Sequence, residues 1–159
     1  MKRATLLTMT IAVMVALTTS VAVAATITGT KGNDRIGGTR QNDTINAGPG
    51  NDYVDGGAGN DLIKGKIGND VLTGSEGTDT VYTDEGQDEA YGAKGNDQIF
   101  ALNDTQRDFV NCGPGDDSAS VQANDYVDDK QANQITVTTL GLSCERIKVN
   151  GVLVIDTTP

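Results

Sequence analysis

Gly56-Gly57-Ala58-Gly59-Asn60-Asp61-Leu62-Ile63-Lys64 is the stretch on which the reading of this chain turns. Its neighbours repeat it. Gly65-Lys66-Ile67-Gly68-Asn69-Asp70-Val71-Leu72-Thr73 follows directly, and Gly29-Thr30-Lys31-Gly32-Asn33-Asp34-Arg35-Ile36-Gly37 comes earlier. Aspartate falls at Asp34, Asp43, Asp52, Asp61, Asp70, Asp79, Asp88 and Asp97, each step being nine residues. Two places after each stands an aliphatic: Ile36, Ile45, Val54, Ile63, Leu72, Val81, Ala90 and Ile99. A strict period of this kind marks a repeat architecture, in which each unit buries its apolar face only against its neighbours.

The physical reading of one unit follows from its residue types. Six residues with glycine at two or three places predict a turn, because glycine accepts positive φ and lets backbone carbonyls crowd together. The next three predict a short strand in which only the central aliphatic faces inward. Two units then make one coil of 18 residues, and aspartates 18 apart stack. Asp34, Asp52, Asp70 and Asp88 form one column; Asp43, Asp61, Asp79 and Asp97 form the other. Carboxylates stacked at the strand spacing of about 5 Å repel one another unless a cation lies between them.

The pattern resembles the hemolysin-type calcium-binding (RTX) nonapeptide repeat, G-G-x-G-x-D-x-U-x, in strict register over residues 29–100 and more loosely to about Asp125. The resemblance implies an all-β fold, a right-handed parallel β-roll (β-solenoid), with Ca²⁺ held between stacked turns. Ca²⁺ suits the residues present: it takes six to eight oxygen ligands, and the turns offer carboxylates and carbonyls, whereas Mg²⁺ prefers to keep its waters. The eight aspartates are the expected ligands, and three gaps in each column make room for up to about six ions. Without metal, so acidic and weakly apolar a chain is expected to be marginal or disordered.

The copies are not all perfect. Gln41 replaces glycine before Asn42-Asp43, Thr78 replaces asparagine before Asp79, and the copy around Asp88 reads Thr83-Asp84-Glu85-Gly86-Gln87, with Ala90 inside. After Phe100 the register slips, since Asp108 lies eleven residues beyond Asp97, and weaker or absent binding is expected from there on.

Composition excludes several function classes. The 159 residues include twenty glycines, no tryptophan and no histidine, with a formal net charge of −10. Without histidine there is no Ser-His-Asp or Cys-His catalysis and no His-ligated metal. A polyanion is a poor nucleic-acid partner, so no nucleic acid is expected. Lys2 and Arg3, an apolar stretch to about Ala25 and the closing Ala22-Val23-Ala24 read as a secretory signal peptide over residues 1–24, and the product is expected to be secreted. No membrane span is expected after its cleavage. The only two cysteines, Cys112 and Cys144, then predict one disulfide in an oxidising compartment.

The remaining organisation is a repeat roll over residues 25–103, then degenerate repeats and a C-terminal β cap over 104–159. In the cap, residues 135–140 alternate β-formers, and Ile147-Lys148-Val149, Asn150-Gly151 and Val152 to Ile155 read as a hairpin with a type I′ turn. Tyr82 and Phe100 are expected on adjacent rungs of one outer face. The function expected is that of a secreted calcium-binding protein folded by its ions. The alternative is an adhesive or cell-envelope module that uses the ordered roll as a surface, its partner being unknown. An enzyme is not expected, because acid and base need different environments and these aspartates repeat alike.

Overall fold

A computed structural model of the chain describes residues 23–102, 104–128, 130–131, 144 and 146–156. It shows a parallel β-solenoid made of two facing sheets. The expected leader up to residue 22, and the β-forming run at 135–140, lie outside the described residues.

Strands alternate between the sheets along the chain. One sheet takes β1 (Thr26–Thr28), β3 (Thr44–Pro49), β5 (Leu62–Ile67), β7 (Thr80–Glu85), β9 (Gln98–Phe100) and β11 (Ser118–Val121). The other takes β2 (Arg35–Gly37), β4 (Tyr53–Ala58), β6 (Val71–Glu76), β8 (Glu89–Lys94), β10 (Phe109–Asn111) and β12 (Tyr126–Val127). Each strand pairs in parallel with the strand one coil away: Ile45 lies opposite Ile63, Val54 opposite Leu72 and Ile63 opposite Val81. The 18-residue coil read from the sequence is therefore the register of the sheets.

The aliphatic places form the core. Ile45, Val54, Ile63, Leu72, Val81, Ala90 and Ile99 are fully or almost fully buried, and Val110, Ala119 and Val127 continue the row. The strands are longer than the three residues expected. β4 to β8 each run six, past the aliphatic and into the start of the next repeat. The reason is alternation: the first residue of the repeat lies two places beyond the aliphatic, so it also points inward. In β5 both Ile63 and Gly65 are buried. The chain turns at the fourth glycine place instead. A Cβ on Gly68 or Gly77 would strike the carbonyl of Gly50 or Gly59, one coil back. Gln41 holds this place near the N-terminal edge, where its counterpart one coil earlier, Val23, is exposed.

The register slip after Phe100 is absorbed without breaking the roll. Val110 pairs with Ala90, and Ala119 with Ile99, at a spacing of twenty. Asp104 in the inserted stretch accepts the Gly86 N–H at 2.8 Å. The tail then doubles back. β14 (Arg146–Val149) adds in parallel to β11, and β15 (Val152–Asp156) pairs with it antiparallel through Asn150 and Gly151, both at positive φ. That is the hairpin read from the sequence. A further short strand, β13 (Lys130–Gln131), closes the second sheet against β12. The Cys112–Cys144 disulfide, with its Cα atoms 5.2 Å apart, ties the tail to the last coils.

The second place of the repeat stores strain. Gly48 and Gly57 hold φ of 104° and 99° there, but Lys66, Ser75, Asp84 and Ala93 hold φ of 69–89° with a Cβ. A left-handed non-glycine residue costs about 1–2 kcal/mol. Lys66 and Asp84 pair with each other at 3.1 Å, and Ser75 donates to Asp55 at 2.8 Å. The methyl of Ala93 can make no such bond. Ala93→Gly is predicted to stabilise the roll by roughly 0.5–1 kcal/mol, the relieved strain less the chain entropy that glycine adds. Thermal unfolding checks it; a lowered midpoint would show that the methyl packs better than its backbone suffers.

Candidate metal centre

Each aspartate of the two columns is placed at the mouth of a strand, with its side chain turned into the roll. Its two carboxylate oxygens do different things. Oδ1 accepts the backbone N–H of the aspartate one coil earlier: Asp43 donates to Asp61, Asp52 to Asp70, Asp61 to Asp79, Asp70 to Asp88 and Asp79 to Asp97, all at 2.7–2.8 Å. The stack therefore doubles as a hydrogen-bonded ladder along the roll. Oδ2 is different. In Asp52, Asp61, Asp70, Asp79, Asp88 and Asp97 it is buried with no hydrogen-bond partner. These six residues are at most 3% exposed. A buried carboxylate oxygen without donor or counter-charge is among the costlier arrangements in a protein.

The surroundings of Oδ2 fit a hard cation. In front of each aspartate stands the inward-facing first residue of its repeat. A Cβ built on Gly56 would lie 2.6 Å from Asp61 Oδ2 and 2.7 Å from the carbonyl oxygen of Gly74. On Gly65 it would lie 2.6 Å from both Asp70 Oδ2 and the carbonyl of Thr83. Gly74 is crowded in the same way by Asp79 Oδ2 and the Gly92 carbonyl, and Gly92 by Asp97 Oδ2 and the Cys112 carbonyl. Glycine at this place thus leaves a cradle between a carboxylate and a carbonyl of the next coil, the mixed oxygen set that calcium prefers. Among the described residues, no three Asp, Glu or Cys side chains converge as a metal-binding group. An ion here would accordingly take most of its ligands from the backbone.

The eight aspartates read from the sequence are not equivalent. The structure brings all of them into the two columns, but at the N-terminal edge Asp34 and Asp43 have partners for Oδ2. Thr30 donates its N–H and hydroxyl to Asp34 at 2.6 and 2.9 Å, and Thr39 does the same for Asp43. The columns also run further than four rungs. Asp88 donates to Asp108 at 3.0 Å, Asp97 to Asp117 at 2.7 Å and Asp108 to Asp125 at 3.1 Å. In two of these three, donors fill Oδ2: the Thr83 hydroxyl for Asp108, and the Gln122 N–H for Asp125.

Sequence reasoning missed a second ladder. Where asparagine precedes the aspartate, it caps the next coil: Asn33 accepts from the Asn51 N–H, Asn51 from Asn69, Asn42 from Asn60 and Asn60 from Thr78, all at 2.8–2.9 Å. Its signal was present, since asparagine recurs with the same period as aspartate. A donor is needed only from the following residue's backbone, which is why Thr78 is tolerated before Asp79.

Burial sets the protonation of the columns. Desolvation, partly offset by the ladder hydrogen bond and reinforced by neighbouring carboxylates, raises Asp70 to about 6, Asp79 to about 7 and Asp88 to about 8. Asp52, Asp61 and Asp97 are raised for the same leading reason. An aspartate whose folded value lies above its unfolded value near 3.9 favours folding at low pH, and that contribution is lost as pH rises through the folded value. In chelator, the unfolding midpoint is therefore predicted to fall as pH is raised across the window from about 4, where the unfolded carboxylates ionise, to about 8, where the last folded one does. A chelated midpoint that is flat or rises across that window would contradict the burial of these carboxylates.

Comparison with known proteins bears on the same residues. Residues 28–63, 55–90 and 64–99 each match the family model of the RTX calcium-binding nonapeptide repeat (4 copies). The repeats of this chain are RTX repeats. The matched residues take in all eight aspartates, from Asp34 to Asp97, and with them the six partnerless Oδ2 atoms. No curated protein matches the chain.

Proposed function

We propose that the protein is a secreted calcium-binding protein whose RTX roll is ordered by its ions. One observation carries the reading: six buried carboxylate oxygens without a partner, each beside a turn of the RTX repeat. Neutralising them needs either protons or cations. At neutral pH and millimolar extracellular calcium, the cation is the available choice. The ligands proposed are the column aspartates from Asp34 to Asp97, with Asp52, Asp61, Asp70, Asp79, Asp88 and Asp97 as the six that lack any other partner. Carbonyls of the glycine turns complete the set. The leader-like start and the paired cysteines support export. The reading is of a binding and structural protein, not an enzyme.

An adhesive or envelope role would use the outer face. Tyr82 stacks on Phe100 there with ring centroids 4.8 Å apart, and the Lys64 ammonium lies 5.8 Å from the Tyr82 ring. Whether the product stays soluble or remains with cells separates this from the first reading.

Circular dichroism at neutral pH tests the calcium reading. The β signal is predicted to be weak in chelator and to rise cooperatively with Ca²⁺, while Na⁺ at equal ionic strength fails to restore it, because screening supplies no coordination. A full β signal in chelator, unchanged by calcium, would sink the proposal.

A further inference from the structure

Rung by rung, the two sides of the roll are not alike. On one side, Asp61, Asp79 and Asp97 follow Gly56, Gly74 and Gly92 in unbroken succession. All three carboxylates keep a buried, partnerless Oδ2, and all three glycines are crowded by that oxygen and by a carbonyl of the next coil. On the other side, Asp34 and Asp70 follow glycines, Gly29 and Gly65, but the Oδ2 of Asp34 already accepts from Thr30, so Asp70 alone combines the glycine with a partnerless oxygen. Asp52 follows Ala47 and Asp88 follows Thr83, both fully buried. Each therefore carries a real Cβ at the place where glycine leaves the cradle open. Thr83 goes further, since its hydroxyl donates to Asp108 Oδ2 at 3.0 Å and so satisfies an oxygen that a cation would otherwise contact.

We infer that the Asp61–Asp79–Asp97 side is the strong cation-binding edge of the roll, and that Ala47 and Thr83 close the cradles before Asp52 and Asp88, leaving Asp70 an isolated site opposite. The inference rests on the calcium reading above and narrows it: Asp52 and Asp88, named there among the ligands, then hold no ion of their own. Calcium bonds its oxygens at about 2.3–2.6 Å and needs that space clear; a Cβ built on Gly65 falls 2.6 Å from both oxygens, so the real side chains of Ala47 and Thr83 at the equivalent place take up room the ion would need. A continuous run also gains by sharing, because each coil between two ions offers its carbonyls to both. An interrupted run forfeits that coupling in an array where each unit touches only its neighbours.

The test counts calcium bound by the full chain at saturation, by equilibrium dialysis, with circular dichroism recorded on each sample. Asp61→Asn and Asp79→Asn are expected to lower the ion count, and Asp52→Asn and Asp88→Asn to leave it nearly unchanged. Ala47→Gly and Thr83→Gly are expected to raise it, each by about one ion per chain. These last variants decide the matter even where an asparagine variant fails to fold. Equal losses on both sides, or folded glycine variants that gain nothing, would overturn the inequality while leaving calcium binding intact. A wild-type chain that binds no calcium would overturn the calcium reading as well.

Discussion

One constraint governs this molecule: a column of carboxylates has been drawn inside a structure too thin to hide their charge. Each aspartate must enter the roll, because its Oδ1 holds the backbone N–H of the coil before it. Having entered, it leaves Oδ2 with nothing to bond. The roll therefore has two states available. Protons can neutralise the column, which is why burial raises Asp79 to about 7 and Asp88 to about 8. Cations can do so at neutral pH, and the glycine cradles with their facing carbonyls are shaped for that alternative. A chain without histidine or tryptophan, and with little aliphatic core per coil, has few other means of holding its rungs together.

The ends of the roll show the same constraint answered by other means. At the N-terminal edge Thr30 and Thr39 donate to Asp34 and Asp43, and past the inserted residues Thr83 and Gln122 donate to Asp108 and Asp125. Neutral donors thus satisfy the inner oxygen of Asp34 and Asp43, where the repeat begins, and of Asp108 and Asp125, where it degenerates. The disulfide and the hairpin of β14 and β15 then close the C-terminal end, which a solenoid must cap.

Much of this could be read from the chain. The nine-residue step of aspartate and of the aliphatic two places on fixed the 18-residue coil, the two columns and the inward row, because a solenoid turns periodicity directly into contact. The Asn150-Gly151 hairpin and the cysteine pair were legible from local chemistry. Four things were not. Strand length was underestimated because glycine at the first place reads as turn, whereas alternation buries it as strand. The slip at Asp108 reads as a loosened register with degenerate repeats beyond it, yet inserted residues can bulge at a corner while the sheets keep pairing in register. The inequality of the columns is invisible when repeats are compared one by one; it appears only when every second copy is aligned, which sets Ala47 and Thr83 on one side. The asparagine ladder was visible as a recurring letter, but its bonding required the coil spacing.

The central claim is that the interior of the roll is ordered by cations acting on buried carboxylates. Segment-resolved hydrogen exchange tests it most directly, since it reports the strands that carry the columns separately from the tail. At neutral pH the account predicts strong protection of the amides in β4 to β8 with calcium, and loss of that protection in chelator, while the disulfide-linked end changes less. Equal protection of β4 to β8 in calcium and in chelator would contradict it.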